Sequence, residues 1–158
     1  MVSRIYFMDH SASEVNELHV IVGRRLHAAK MRYSKSRYAV VKILMQGGRP
    51  MTLPEILEVG KLQGLAQSSA YRNLSEMAEI GIVRHINSGD DHSRFELDES
   101  LTGHHHHLEC TQCGRLEDFV VPEKFEQIIK GLVEAAEQQG FKAASHRFDI
   151  LGRCGECA

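Results

Sequence analysis

Residues 81–97 read GIVRHINSGDDHSRFEL, and the change of hydrophobic pattern within them indicates how the first part of the chain folds. Before this stretch, apolar side chains recur every three to four residues, which is the spacing of amphipathic helices. From Ile82 onward they alternate with polar side chains, first over 82–86 and again over 93–97, as in half-buried strands. The Gly-containing segment 87–91 separates the two runs, so the pattern predicts a β-hairpin.

Several helical segments precede this hairpin. One covers residues 14–30, a second begins after the capping candidate Ser34, and two more cover 53–61 and 68–80. Short helices followed by a two-stranded hairpin are typical of a winged helix-turn-helix, in which 53–61 and 68–80 form the helix-turn-helix pair. A generic small α/β domain is the alternative interpretation.

The second helix of this pair is expected to lie in the major groove of DNA. Its polar side chains suit base edges and phosphates, namely those of Gln67, Ser68, Ser69, Tyr71, Arg72 and Asn73. The whole chain has a net charge of −2, yet the segment 24–49 contains basic residues and no acidic one. These residues are Arg24, Arg25, Lys30, Arg32, Lys35, Arg37, Lys42 and Arg49. Such a run favours a surface that faces a polyanion, and a solvated helix face is the alternative.

The chain after the hairpin has a different character. A polar connector, 98–103, marks the best domain boundary and is interpreted as a hinge between a winged-helix domain over 1–97, with an extension at 1–13, and a domain over 104–158. The second domain has strand-like segments at 105–110 and 116–120, a helix from Pro122 to about Gln139, and a strand over 141–151. The predicted fold class is α+β, and the second domain is small enough for a metal to help stabilise it.

Length and composition exclude several classes of protein. At 158 residues the chain is too short for a large α/β enzyme. No apolar run approaches the length of a membrane span, and residues 1–10 do not resemble a secretory signal. We therefore expect a cytoplasmic protein without a membrane partner. In that compartment the cysteines are expected to be thiolates, metal ligands or redox centres rather than disulfides.

All four cysteines occur in two pairs of equal spacing. Cys110 and Cys113 form one pair and Cys154 and Cys157 the other, each with two residues between the sulfurs. Two such pairs can close a tetrahedral tetrathiolate zinc site, and the binding energy of the ion then contributes to folding. An iron–sulfur cluster, a thioredoxin-like redox pair and two unrelated thiol pairs are the alternatives.

Four consecutive histidines, 104–107, lie just before the first cysteine pair. On a strand, side chains alternate between faces, so His105 and His107 share one face while His104 and His106 share the other. Two pairs of imidazoles can therefore serve two ions, each with partners from elsewhere in the chain. The candidate partners are His85, His92, Glu96, Asp118, Glu123, Glu126 and His146.

These motifs together resemble the ferric uptake regulator family over about residues 34–157. The resemblance is carried by Ser69-Ala70-Tyr71-Arg72, by the wing end Arg94-Phe95-Glu96-Leu97, by the run from His104 to Gly114, by Ser145-His146 and by the closing cysteine pair. Members of this family are bacterial, dimeric, metal-responsive transcription factors. The resemblance implies a metal-dependent repressor that binds an inverted-repeat operator in double-stranded DNA as a homodimer, with no small-molecule substrate.

The family's functional positions can be carried over one by one. The four cysteines match its structural zinc site, and Glu96, His105 and His107 match ligands of its regulatory metal at the hinge. A further site is matched by His104, His106, His146 and a helix acid, for which Glu126 is the first choice and Glu123 the second. Tyr71 and Arg72 match residues of the recognition helix that touch DNA, and Arg32 matches a basic residue that reaches the minor groove. Ser68, Ser69 and Arg37 complete the predicted DNA-binding set.

Two departures bear on the regulatory metal. Many relatives have a histidine just before the helix-turn-helix, where this chain has Pro50. His85 from the wing is taken as the fourth ligand, and a hinge metal with only three side-chain ligands and a water is the alternative. Zinc-sensing relatives often have a cysteine on the wing strand, whereas all cysteines of this chain are already assigned. A site of nitrogen and oxygen donors accepts Fe(II), Mn(II), Zn(II) or Ni(II), with Fe(II) favoured. A zinc-uptake or a peroxide-stress regulator is the alternative within the family, and Asp118 matches an aspartate ligand of peroxide sensors. Outside the family, the alternatives are a metal-storage module and a metallohydrolase.

Overall fold

The computed structural model describes residues 12–87 and 92–158. The chain divides into two compact units, which meet in sequence between Gly103 and His104. The first unit contains, in order, α1 (Ala12–Ala28), α2 (Lys35–Gly47), β1 (Met51–Thr52), α3 (Leu53–Gly60), α4 (Gln67–Glu79), β2 (Val83–Asn87), β3 (Ser93–Leu97) and the short α5 (Glu99–Thr102). The predicted extension 1–13 and the hairpin turn 87–91 fall largely outside the described residues.

The helices begin and end where local chemistry dictates. The Ser34 side chain caps α2 by accepting a hydrogen bond from the backbone N–H of Arg37, and α2 is followed by Gly48 in the left-handed conformation. Thr52 and Glu55 form a reciprocal capping box at the start of α3. These contacts fix the ends of the helices around the helix-turn-helix.

The turn between α3 and α4 depends on a close approach of two residues. After α3 the chain makes one 3₁₀ turn, Lys61–Gln63, and Gly64 adopts the left-handed conformation. Leu65 then folds back, and its backbone N–H donates to the carbonyl oxygen of Gly60 at 3.2 Å. A Cβ on Gly60 would lie 2.8 Å from Cδ2 and 2.9 Å from Cβ of Leu65, so a glycine is required for steric reasons.

The wing is a three-stranded sheet of order β1-β3-β2. The predicted hairpin is present, with Val83 opposite Leu97 and Asn87 opposite Ser93. The two-residue strand β1 adds to its other edge and pairs Met51 with Phe95. Sequence analysis did not predict β1, because two residues carry no periodic pattern.

One hydrophobic core holds the first unit together. Its helices contribute residues at the predicted helical spacing, and Phe95 and Leu97 contribute from β3. Completely buried members include Val22, Leu26, Val40, Val41, Ile56, Ala70, Leu74, Met77 and Ile82. Burial of this set is the main source of the unit's stability.

The connector 98–103 falls within the first compact unit. Asp98 caps α5 by accepting from the N–H of Ser100, and Leu101 packs against the core. Arg25 of α1 donates to Ser100 Oγ and to the carbonyl oxygen of Gly81, both at 2.9 Å. These contacts, which the polar composition of 98–103 does not reveal, hold the segment on the helices.

The second unit contains β4 (His106–Cys110), β5 (Leu116–Phe119), α6 (Glu123–Gln138) and β6 (Asp149–Gly152). The strands have the order β5-β4-β6, with β5 antiparallel and β6 parallel to the central β4. The predicted strand over 141–151 is too long, because β6 pairs only with residues 107–110 of β4. Its buried apolar side chains are Cys110 and Leu116 alone, so this unit has a small core.

The α+β class and the winged helix-turn-helix predicted from the sequence are both present. No helix among the described residues is long and apolar enough to cross a membrane.

Candidate metal centres and nucleic-acid interface

The two cysteine pairs converge at one end of the second unit. Cys110 ends β4 and Cys113 lies in the turn that follows, while Cys154 and Cys157 lie in the turn after β6. Because β6 runs parallel to β4, the two turns occur at the same end of the sheet. The four sulfurs lie within 4.8 Å of one another, and the Cys113 and Cys154 sulfurs are 3.8 Å apart. This separation is close to the edge of a tetrahedron with zinc–sulfur bonds of about 2.3 Å.

The surroundings of the sulfurs favour thiolates held by a cation. Hydrogen bonds from the backbone N–H groups of Cys154 and Cys113 lower the pKa of Cys110 to about 6. The neighbouring cysteines, Cys154 first, raise the pKa of Cys157 to about 12. Four sulfurs packed this closely repel one another as thiolates, so a positive ion between them stabilises the deprotonated set, and none of them forms a disulfide. The donor set fits zinc, and these residues would hold it as a structural ion.

A second cluster brings together side chains from the start of β4, from α6 and from the segment before β6. His106 Nε2 lies 2.8 Å from Glu126 Oε1, and His104 Nε2 lies 2.9 Å from His146 Nε2. His146 Nε2 is 3.5 Å from the other Glu126 oxygen. Hydrogen bonding from His106, followed by attraction to the neighbouring imidazoles, lowers the pKa of Glu126. Three imidazoles around one carboxylate fit a divalent transition metal, and Glu126 rather than Glu123 is the helix acid that reaches them.

The third cluster lies on the opposite face of the same strand. His105 Nε2 and His107 Nε2 are each 4.0 Å from Asp118 Oδ1, and their rings are 5.2 Å apart. Asp118 lies directly across from His107 in the β4–β5 ladder. Asp149 lies 3.7 Å from the other ring nitrogen of His107 and can orient it. These three donors, two nitrogens and one oxygen, suit Fe(II), Mn(II) or Zn(II).

The assignment of His85 as a ligand beside Glu96 is wrong in this structure. In the β2–β3 ladder Arg84 is opposite Glu96, and His85 is opposite Phe95. Since neighbouring residues of a strand point to opposite faces, His85 and Glu96 lie on different faces of the wing. His85 packs against Phe95 with ring centroids 5.1 Å apart. Asp118, which the sequence analysis kept only as an alternative, takes its place among the candidate ligands.

The Glu96 carboxylate forms an ion pair within the first unit with the guanidinium of Arg84. Arg84 donates to Glu96 Oε1 from Nε at 3.0 Å and from Nη2 at 2.7 Å. The same guanidinium donates to Glu99 at the start of α5. Arg84 therefore links the wing strand to the segment that leads to the histidines.

The recognition helix α4 presents most of the predicted DNA-contacting side chains to solvent. Ser68 is exposed and Ser69 half-buried in its first turn. Tyr71 is 61% exposed, and the Arg72 side chain is 78% exposed. Arg32, in the loop before α2, is also exposed. Asn73, by contrast, is buried and donates to Ser36 Oγ at 3.0 Å, so it joins α4 to α2 instead of facing DNA.

Arg37 departs from its predicted role as a DNA contact. Its side chain is only 12% exposed. One terminal nitrogen donates to the carbonyl oxygen of Arg32 and the other to Glu76. Its two terminal nitrogens are thus used inside the protein, because α2 packs against α4 and brings Arg37 to Glu76. Sequence analysis missed Glu76, although its i,i+4 spacing from Arg72 was the signal that could have revealed the pair.

The basic run 24–49 is only partly exposed to solvent. Arg25 and Arg37 make the internal hydrogen bonds described above, and Arg49 pairs with Glu55 at 2.6 Å. Exposed positions that remain for phosphates are Arg24, Lys30, Arg32 and Lys35. The run therefore combines structural ion pairs with a smaller basic surface around the loop between α1 and α2.

Comparison with known proteins agrees with this architecture. The sequence model of the "Ferric uptake regulator family" matches residues 28–151. The "Peroxide operon regulator" of Bacillus subtilis (strain 168) is 32% identical over 132 residues, which cover 81% of this chain and 85% of that protein. The "Peroxide-responsive repressor PerR" of Staphylococcus epidermidis is 30% identical over 136 residues, which cover 84% of this chain and 85% of that protein.

Solved structures show the same fold. The Helicobacter pylori ferric uptake regulator superposes with a TM-score of 0.71 at 22% identity and covers 99% of this chain and 97% of its own. The Vibrio cholerae ferric uptake regulator gives a TM-score of 0.67 at 24% identity, and the superposition covers 84% of this chain and 98% of that protein. At these identities the likeness supports the fold.

Proposed function

The chain belongs to the ferric uptake regulator family, and we propose that it is a metal-dependent transcriptional repressor that uses Fe(II) as its regulatory ion. As a member of this family of metal-responsive regulators it is not an enzyme, and the metallohydrolase alternative is dropped. The single observation that carries the proposal is the convergence of His105, His107 and Asp118. That cluster lies directly after the connector from a winged helix.

We assign Glu96 as the ligand that the first unit contributes to this ion. The carboxylate is on the last strand of the wing, and a shared ion would tie the orientation of the recognition helix to the second unit. An ion that binds more tightly to one orientation of the recognition helix shifts the population of molecules towards that orientation. Raising the DNA-competent fraction from about 10% to about 90% requires metal binding about 80-fold tighter in the competent form.

A homodimer follows from the exposed apolar surface of the second unit. The helix α6 has no buried residue, and Ile128 and Leu132 on it are 63% and 65% exposed. Leu151 on β6 is 64% exposed as well. A second copy that covers these side chains would give the small unit the core that it lacks. Two-fold symmetry then predicts an inverted-repeat operator in double-stranded DNA.

The remaining assignments complete the proposal. Zinc at Cys110, Cys113, Cys154 and Cys157 is structural, and His104, His106, Glu126 and His146 hold a further divalent ion. Ser68, Ser69, Tyr71, Arg72 and Arg32 contact DNA, and the cytoplasm is the expected location.

The test compares metal-dependent DNA binding in matched variants. The metal-loaded protein first selects duplexes from a randomised library, and binding to a selected duplex is then titrated anaerobically with Fe(II), Mn(II), Zn(II) and Ni(II). We expect a Glu96→Ala, His105→Ala double variant to lose the metal response while keeping its structural zinc. His85→Ala, the matched control on the opposite face of the wing, should respond like the wild type. Full metal-dependent binding by the double variant would overturn the proposal.

Peroxide sensing is a second candidate within the family. It is favoured by Asp118 in the third cluster and by the two relatives named above as peroxide regulators. Fe(II) in this site would supply the electrons that cleave the peroxide O–O bond. The imidazole would return these electrons to the ion, so the net reaction is a two-electron oxidation of the ring by peroxide: one oxygen atom would be inserted into a ring C–H bond of His105 or His107, and the other would leave as water.

Mass spectrometry distinguishes the two candidates. After peroxide treatment of the Fe(II) form, a sensor should carry one added oxygen on the peptide with residues 105–107 and should release its DNA. The Mn(II) form should carry none, because Mn(II) does not readily reduce peroxide. Unchanged mass and unchanged DNA binding in the Fe(II) form would reject peroxide sensing and leave the metal-dependent repressor.

A further inference from the structure

One carboxylate on the recognition helix holds two arginines at once. Glu76 accepts from Arg37 with Oε2 and from Arg72 Nε with Oε1 at 2.8 Å. Hydrogen bonds from Arg72 and then Arg37 lower the pKa of Glu76, so it is ionised at neutral pH. The three side chains thus form a chain of charges from α2 to the exposed face of α4.

The two arginines at the ends of this chain have different surroundings. Arg37 is fixed, because its side chain is 12% exposed and its second terminal nitrogen donates to the carbonyl oxygen of Arg32. Arg72 is 78% exposed. Among the described residues only its Nε is paired, and its two terminal amino groups make no hydrogen bond there.

This arrangement leaves the terminal amino groups of Arg72 available to a planar hydrogen-bond acceptor such as a base edge. A guanidinium recognises guanine through two parallel N–H groups, and its selectivity depends on the orientation of that plane. An exposed arginine has many rotamers, and ordering it on binding costs conformational entropy. A carboxylate bound to Nε restricts those rotamers without using the two terminal donors.

We propose that Glu76 is a specificity-determining positioning residue, which Arg37 anchors and which presents the Arg72 guanidinium to a guanine in the major groove. The inference rests on the proposed DNA-binding function. Glu76 has a second effect, because its negative charge opposes the phosphates of any duplex. It therefore lowers non-specific affinity while it supports specific recognition.

The experiment measures a ratio of affinities. The probes are a duplex that the metal-loaded wild type selects from a randomised library and a scrambled duplex of the same composition. For Glu76→Gln we expect the ratio of specific to non-specific affinity to fall about tenfold, the discrimination of one arginine–base pair. Binding to the scrambled duplex should become tighter and more sensitive to salt.

Three further variants separate positioning from charge and from folding. Glu79→Gln removes the same charge from an exposed site on α4 and should leave the ratio within about twofold of the wild type. Glu76→Asp keeps the charge but is too short to span both arginines, so the ratio should fall without tighter non-specific binding. In an Arg72→Met background, Glu76→Gln should no longer change the ratio, because the residue acts through Arg72.

The outcomes are distinguishable. If the wild type selects no sequence, the proposed DNA-binding function fails. If it does select one, and Glu76→Gln behaves like Glu79→Gln or alters the ratio equally without Arg72, the positioning role is refuted while the DNA-binding function stands. Since Glu76→Asp, made alone and in the Arg72→Met background, tests the same coupling, the proposal stays testable even if Glu76→Gln does not fold.

Discussion

Replacing Gly60 with alanine is expected to destabilise the first unit for purely steric reasons. The residue has φ −77° and ψ −10°, which alanine adopts without strain. Its new Cβ, however, would lie 2.8 and 2.9 Å from two atoms of Leu65 and 3.4 Å from Ile43 Cδ1. Rotation of the Leu65 side chain cannot relieve the contact with its Cβ, so the turn between α3 and α4 has to open.

The magnitude follows from two opposing effects. Overpacking of this kind costs about 1–3 kcal/mol, and the higher helix propensity of alanine offsets roughly 0.5–1 kcal/mol. The net loss is about 1–2 kcal/mol, which for a unit of this size corresponds to a fall in Tm of about 5–12 °C. Affinity for the selected duplex should fall too, because the turn sets the position of the recognition helix.

Thermal unfolding by circular dichroism measures the effect, with Gly23→Ala in α1 of the same unit as the control. The nearest atom to a Cβ at Gly23 is Tyr33 Cδ1, at an ordinary contact distance of 3.6 Å, so this variant should stabilise the first unit by about 0.5–1 kcal/mol. A Gly60→Ala protein that melts at or above the wild-type temperature would show that the close approach does not constrain the turn.

Three other predictions concern the cysteine cluster, an acid-sensitive histidine and the dimer. Cys113→Ser should lose zinc and the structure of the second unit, while the first unit keeps its own unfolding transition. A second unit that stays folded without zinc would contradict the structural role of the ion. Burial and then Lys42 lower the pKa of His19, so its contribution to stability is complete above pH ~6.5 and is lost as the pH falls through the lowered value. His19→Gln should therefore reduce the fall in Tm between pH 7 and 5, and a fall in Tm equal to that of the wild type would refute the reasoning. Ile128→Glu should convert the dimer to a folded monomer in analytical ultracentrifugation, and an unchanged mass would place the interface elsewhere.

Local signals account for the part of the fold that the sequence predicted. The capping residues Ser34 and Thr52 and the change of period at Gly81 act over a few residues, so they are visible in the chain itself. Features that depend on partners distant in sequence were not visible. The strand β1 exists only because β3 offers an edge, and residues 141–148 lack a strand partner because β4 is short.

For the candidate metal sites, too, local patterns were predictable from the sequence and contacts between distant residues were not. Alternation along a strand predicted which histidines share a face, and equal spacing predicted the cysteine pairs. Choosing between His85 and Asp118 required the registers of two hairpins, which fix the face of every side chain and change completely with a shift of one residue. The role of Arg37 was likewise not predictable, because its partner Glu76 is 39 positions away in sequence.

The spacing along β4 limits how this protein can change during evolution. Each imidazole pair meets its own carboxylate, Glu126 on one side and Asp118 on the other, while Cys110 pins the far end of the strand. Deleting or inserting one residue between His107 and Cys110 would turn the histidines over relative to the cysteine and offer each pair to the wrong acid. Substitutions in this stretch alter one donor at a time, whereas an insertion or deletion would disturb all three candidate metal sites at once, so the length of the stretch is constrained more tightly than its composition.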